Sequence, residues 1–290
     1  MSQIHKKIDL PRIGVFDSGF GGLTVLRALL AHIPQASYAF LGDTARLPYG
    51  SKSRRTIAKY AAESAQFLVR EQGAEFLVIA CNTASALALD AIQDAVPVPV
   101  LGVIEPGAQA ARAASQTGDV LVIATDATVE SHAYAAACHA LGLHAMERAC
   151  PLLVPLVEEG WTSSPVTAEV IRIYLEELLK DAAVANLNPD TLVLGCTHYP
   201  LLRPLIEEVL TRIGPAGMRV IDSAEATAAQ AARLFRLKTV GAPGPDFRTW
   251  ENCTSNVHCF ATDSVEKFER LGSRFLGCPT GKVELVDLGG

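Results

Sequence analysis

Two stretches, FLVIACNTAS at residues 76–85 and TLVLGCTHYP at residues 191–200, decide how this chain is read. Each is a short apolar run that stops at a cysteine, followed by small or hydroxylated residues of the kind found where a helix opens. A run without polar alternation marks a strand covered on both faces, as in a parallel sheet sandwiched between helices. Runs of the same character recur at 13–16, 38–42, 98–103, 120–124 and 219–222. Helical stripes lie between them: Leu23, Leu26, Leu30 and Ile33; Ile57, Ala61, Ala65 and Leu68; Ile171, Tyr174, Leu175 and Leu178; Leu202, Leu205, Ile206 and Val209. Strand and helix in alternation predict an α/β fold with parallel sheets.

The two quoted stretches also suggest a duplication. The runs at 13–16 and 120–124 end at Asp17 and Thr125, and each is followed, at similar separation, by a run ending at Cys81 or Cys196. The expected architecture is two similar parallel-sheet α/β domains facing each other across an interdomain active site. Residues 1–104 and 217–290 are assigned to the first domain and 105–216 to the second, with crossings near 103–106 and 213–218. The Pro/Gly-rich residues 241–245 predict a loop, followed by a short final strand at 257–261 and a closing helix.

Composition excludes several classes. The 290 residues are 49% hydrophobic and 19% charged, enough apolar side chain for a sizeable core. The net charge of -6 and the lack of a clustered basic face argue against a nucleic-acid partner. No apolar run approaches the ~20 residues of a membrane span, and no apolar segment follows the charged start as in a signal peptide. The cytoplasm is the expected compartment. Seven cysteines without a CxxC pair are then expected as thiols. The loop GFGG at 19–22 misses the GxGxxG spacing, and HExxH, EF-hand and zinc-spaced arrays are missing from the sequence, so no metal is predicted.

Ligands of open α/β sheets bind beyond the carboxyl ends of the strands, and polar clusters sit there in this sequence. They are Asp17-Ser18-Gly19, the segment 43–50, Cys81-Asn82-Thr83, residues 125–128 and Cys196-Thr197-His198-Tyr199. A cysteine between a strand end and a helix start feels the positive end of the helix dipole, which is expected to lower its pKa. Asn82, Thr83 and Thr197 are suited to capping, or to donating to a bound carboxylate. Alone, a buried cysteine is more often a core residue than a reactive one, and Asp17 alone reads as a turn residue. Two cysteines at equivalent strand ends make the inert reading hard to hold. Cys138, Cys150, Cys253, Cys259 and Cys278 have no such setting and read as structural.

At these residues the sequence resembles the glutamate racemase family, within the wider aspartate/glutamate racemase superfamily. The resemblance rests on IGVFDSGFGGLTVLR from Ile13, LGDTARLPYGSKS from Leu41, VIACNTASALAL from Val78, PLLVPLVEEG from Pro151, LVLGCTHYPLL from Leu192 and IDSAEATA from Ile221. It extends to HCFATDSVEKFERLGSRFLG at the end and so covers nearly the whole chain. Residues 124–128 depart from it, with alanines where a glycine is expected.

The resemblance implies racemisation of glutamate without pyridoxal phosphate, metal or nucleotide. One cysteine takes the α-proton as thiolate and the other returns a proton to the opposite face, as inversion demands. It implies that Cys81 serves the D-enantiomer and Cys196 the L-enantiomer, assisted by Asp17 and His198. The substrate-binding residues it implies are Asp17, Ser18, Tyr49, Gly50, Asn82, Thr83, Thr197 and His198, with Glu158 as a further candidate. It also implies a homodimer and a supply of D-glutamate to peptidoglycan. The rival readings are a racemase or isomerase of the same superfamily acting on aspartate, a hydantoin or a maleate-like diacid; a solute-binding α/β protein; and a single-cysteine hydrolase. The last would accumulate a covalent adduct on one nucleophile, and a second cysteine in an equivalent place argues against it.

Overall fold

The computed structural model describes residues 11–238 and 256–289. The expected loop at 241–245, Cys253 and the chain's first ten residues lie outside them.

The elements run β1 (Arg12–Asp17), α1 (Leu23–His32), β2 (Ser37–Gly42), α2 (Arg54–Arg70), β3 (Phe76–Ile79), α3 (Asn82–Leu87), α4 (Leu89–Ala95), β4 (Val100–Gly102) and α5 (Ile104–Ala114). There follow β5 (Asp119–Ala124), α6 (Asp126–Glu130), α7 (Ala133–Ala140), β6 (His144–Ala149), α8 (Leu153–Glu158), α9 (Pro165–Val184), β7 (Thr191–Gly195), α10 (Arg203–Ile213) and β8 (Arg219–Asp222). The described chain closes with α11 (Ser223–Lys238), β9 (Val257–Ala261), α12 (Val265–Leu276) and β10 (Val283–Leu285). Local chemistry accounts for several helix starts. Ser53 accepts from the Thr56 amide to cap α2, and Ser164 accepts from Val166 to cap α9 ahead of Pro165.

All strand pairs are parallel. One sheet has the order β10-β9-β2-β1-β3-β4 and the other β6-β5-β7-β8. Within each, the first four strands in chain order are arranged second-first-third-fourth, so the duplication expected from the sequence is present as repeated topology. The order reverses between β1 and β3 and again between β5 and β7, and a crevice opens at such switch points. The central strands are buried on both faces: Val15, Val78, Val122 and Leu194 are fully shielded. At the end of the first sheet an aromatic cluster of Phe20, Phe268 and Phe275 packs α12 onto the loop after β1.

Three expectations change. β8, assigned with residues 217–290 to the first domain, pairs with β7 in the second sheet. The chain rejoins the first sheet only after α11, which packs on both α1 and α5, where β9 pairs with β2. Strands β6 and β10 were not anticipated. β6 is a sheet edge whose Glu147 and Arg148 break the apolar pattern, and β10 has only three residues. Finally, Cys278, read as a thiol, is disulfide-bonded. Pairing depends on how closely two Cβ atoms approach in space, which spacing along the chain does not report.

Candidate active site

Cys81 follows β3 after one intervening residue and caps α3, its sulfur accepting from the Ala84 amide at 3.4 Å. The ladder pairs Phe16 with Ile79. That register brings the loop after β1 alongside, and the Cys81 thiol donates to Ser18 Oγ at 3.3 Å. The sulfur is buried, and burial pushes the Cys81 thiol up to about 12. The nearby Asp17 charge adds to the rise, and the bonds from Ser18 and Ala84 oppose it without prevailing. The lowered pKa expected from the helix start is therefore not found at Cys81: α3 has six residues, and desolvation outweighs it.

Cys196 follows β7, but a helix does not open directly behind it. A short 3-10 turn, Tyr199–Leu202, intervenes before α10. Its partner is a base. Sγ lies 3.9 Å from His198 Nδ1, and Thr197 Oγ1 lies 3.4 Å from the same nitrogen. On the other side of the ring, His198 Nε2 sits 3.4 Å from Glu158 Oε1, in charge-pairing range although off the hydrogen-bond axis. Glu158 Oε2 is in turn 3.4 Å from Lys267 Nζ on α12. Burial works against a charged imidazole here, yet the contacts with Cys196 and Glu158 prevail and push His198 up to about 10. Phe20 and Phe275 wall the ring at centroid distances of 6.2 and 5.0 Å. Although burial resists its charge, His198 and Lys267 together hold Glu158 below the usual glutamate range.

The two clusters meet. A Cβ on Gly21 would lie 2.4 Å from Thr197 Oγ1 and 2.6 Å from His198 Nδ1, so only glycine lets the β1 loop approach the second sheet this closely. Gly22 is equally confined, with Asp17 and Ala80 Cβ atoms 2.6 and 2.8 Å from the same construction. Thr24 Oγ1 donates to the Thr197 carbonyl at 3.0 Å. Thr83 Oγ1 lies 3.2 Å from Thr125 Oγ1 and 3.4 Å from Thr128 Oγ1, joining α3 to the loop after β5. Asp17 lies between the clusters. One oxygen accepts from the Gly19 amide at 2.9 Å, and burial raises its pKa against the pull of the His198 charge.

The segment 43–50 departs in part from expectation. Tyr49 is buried and its hydroxyl donates to Asp43 Oδ2 at 2.5 Å, so the phenol is already engaged. Asp43 also accepts from Arg46 Nε at 2.8 Å and from Thr262 Oγ1 at 2.9 Å. Gly50 beside it is exposed, and the turn packs near α3 and α6. Asp43, Thr128, Phe20, Phe275 and Lys267 are neighbours of the site that were not singled out as site residues. Each stood within a stretch quoted above, Thr128 in the cluster 125–128 and the others in the family motifs, but only the fold brings these segments together around the two cysteines.

Among the described residues, four buried side-chain polar atoms have no hydrogen-bond partner: Asp17 Oδ1, Asn82 Nδ2, His198 Nε2 and Glu147 Oε1. The first three belong to this cleft, and only Glu147 lies elsewhere. Buried polar atoms are costly unless something satisfies them. An acceptor on Asp17 and a donor on Asn82 suit a small molecule carrying both an ammonium and a carboxylate. Among the described residues no group of three or more His, Cys, Asp or Glu side chains is arranged to hold a metal ion.

Comparison with known proteins shows the family and the fold. Residues 23–231 match the model of the Asp/Glu/hydantoin racemase family. A glutamate racemase of Koribacter versatilis is 52% identical over 97% of this chain and 98% of its own. A glutamate racemase isoform from Bacillus anthracis superposes with a TM-score of 0.82 at 35% identity, covering 96% of this chain and 98% of that one. The Francisella tularensis glutamate racemase, crystallised with D-glutamate, gives 0.81 at 34% identity over 97% and 99%.

Proposed function

The chain belongs to the Asp/Glu/hydantoin racemase family and is an amino-acid racemase, and from that premise we propose that it interconverts L- and D-glutamate with Cys81 and Cys196 as opposed acid and base. The observation that carries this reading is the pairing of two buried cysteines at matching strand ends, with the unpartnered Asp17 Oδ1 and Asn82 Nδ2 beside them. The relatives named above as glutamate racemases support the substrate.

In this reading Cys81 acts on the D-enantiomer and Cys196 on the L-enantiomer. Asp17 Oδ1 receives the substrate ammonium and helps draw the proton from Cys81, which rests as a thiol. The Cys196 proton passes to and from His198, whose ring Glu158 orients, so Glu158 serves the histidine rather than the substrate. Asn82, Thr83, Thr197, Ser18 and the backbone around Tyr49 and Gly50 bind the carboxylates; the Tyr49 phenol does not, because Asp43 holds it. A dry, closed cleft with oriented donors strengthens every one of these interactions as charge develops on the α-carbon. Neither metal nor pyridoxal phosphate takes part. We assign the enzyme to the cytoplasm, as a homodimer supplying D-glutamate for peptidoglycan. The first of its two units is formed by residues up to 104 and the segment returning after α11.

The test is circular dichroism of purified, chelator-dialysed protein incubated with either glutamate enantiomer and no added cofactor. Ellipticity should decay to zero from both sides. A requirement for added metal or aldehyde cofactor would contradict the two-thiol reading. Turnover of aspartate in place of glutamate would move the substrate to the rival superfamily activity. Binding without any decay would favour a solute-binding protein.

A further inference from the structure

Tyr134 of α7 carries no role so far, yet it is a fully buried tyrosine reaching from the second sheet's helices into the first cysteine motif. Its hydroxyl donates to Asn82 Oδ1 at 2.8 Å. Asn82 is 3% exposed, and the other end of the same amide, Nδ2, is one of the buried atoms with no partner. An amide has two faces of opposite polarity, and a buried donor on the oxygen settles which of them turns away from it.

The surroundings of Tyr134 are built around its ring. A Cβ on Gly195, the residue before Cys196, would lie 2.9 Å from Tyr134 Cε2, and one on Gly107 would lie 3.1 Å from Cε1. Ser223, which donates to the Leu194 carbonyl at 2.9 Å, stands with the Tyr134 hydroxyl beside Gly107. The ring is thus clamped between β7, α5 and the start of α11 while its hydroxyl crosses to α3. Burial drives its pKa upward, so the hydroxyl keeps its proton and remains a donor.

We propose that Tyr134 is a positioning residue for substrate binding: its hydroxyl holds the Asn82 amide with Nδ2 facing the cleft, where it donates to a substrate carboxylate. This rests on the reading of Asn82 as a ligand of the substrate. It also means that the carboxylate donor of the first unit is set by a residue of the second, so the site is correctly formed only when the two units are docked.

The experiment is a double-mutant cycle on the full chain, with KM and kcat for glutamate measured in the wild type, Asn82→Ala, Tyr134→Phe and the double variant. Removing a hydrogen bond to a charged group should raise KM about tenfold or more in Asn82→Ala. Tyr134→Phe keeps the ring and should raise KM about fivefold with kcat changed less than about twofold, because the amide loses its orientation rather than its presence. In the Asn82→Ala background the same change should alter KM less than about twofold. A merely structural tyrosine would give additive effects, or a lower thermal midpoint with KM unmoved. If Asn82→Ala raises KM and Tyr134→Phe does not, or if the effects add, the positioning role is overturned. If Asn82→Ala itself leaves KM unchanged, Asn82 is not a ligand, and both assignments fall together.

Discussion

The two cysteine clusters share a strand topology and differ in almost everything that surrounds the sulfur. In the first half, the hydroxyl beyond β1, Ser18, takes the Cys81 thiol, and the acid whose charge bears on it is Asp17. In the second half, the hydroxyl beyond β5, Thr125, turns instead to Thr83 and Thr128. Cys196 is left to His198, backed by Glu158 and Lys267. The two halves share a scaffold and differ in the groups set around the sulfur. A racemase handles two mirror-image protons but never with mirror-image residues, because L-amino acids cannot build a mirror-symmetric site. Two unlike acid–base pairs at matching strand ends are a way to serve both faces of one carbon.

The largest expected effect comes from removing either sulfur. Cys81→Ala or Cys196→Ala should reduce racemisation by about three orders of magnitude or more, since neither pair can do the work of both. Inert core cysteines would instead leave turnover near wild type and cost only stability, so a steady-state assay with a thermal-melt control decides between them.

The assisting groups come next and sharpen the comparison. Asp17→Asn and His198→Asn should each lower kcat/KM by about a hundredfold. The two enantiomers are equal in energy in water, so kcat/KM must fall equally in both directions for either variant. The asymmetry should appear in primary isotope effects. With α-deuterated substrates, His198→Asn should raise the effect for L-glutamate, whose deuteron the proposal gives to Cys196, and Asp17→Asn should raise it for D-glutamate. Equal changes for both enantiomers in both variants would mean that the two groups do not belong to separate sulfurs.

The smallest effects concern the charges behind His198. Its folded-state pKa, about 10, stands above an unfolded value of about 6.5, so its charged pairing stabilises the fold fully below about pH 6.5. That contribution is lost as pH rises through about 10. Glu158 is lowered, so its share is present above about pH 4.5 and is lost below it. Glu158→Gln should therefore cost about 1 kcal/mol between pH 5 and 6.5, and the gap should close as pH approaches 10. Lys267→Met, at a half-exposed position, should cost no more than about 0.5 kcal/mol. Denaturant melts at several pH values check both; a gap independent of pH would dissociate Glu158 from the histidine.

Much of this was legible in the sequence because it is carried by local pattern. Apolar runs gave the seven strands first read, and the cysteines, Asp17, Asn82, Thr83 and His198 stand where those strands end. What escaped depends on distance in space. β8 could not be assigned to a sheet from residues 219–222 alone, since any neighbour would accept so short an apolar strand. Tyr49 sat inside a motif, but only the fold reveals that Asp43 takes its hydroxyl. The expected drop in the Cys81 pKa followed from its place at a helix start, while burial, which sequence position does not report, outweighed it.

The central claim is that each sulfur owns one face of the substrate, and elimination tests it most directly. A glutamate analogue with a leaving group on its β-carbon needs only one proton removed before that group departs, so no reprotonation on the opposite face is required. Cys196→Ser should retain elimination from the D-analogue through Cys81 and lose it from the L-analogue; Cys81→Ser should do the reverse. Either variant racemising glutamate at near wild-type rate, or eliminating from both enantiomers alike, would contradict the account.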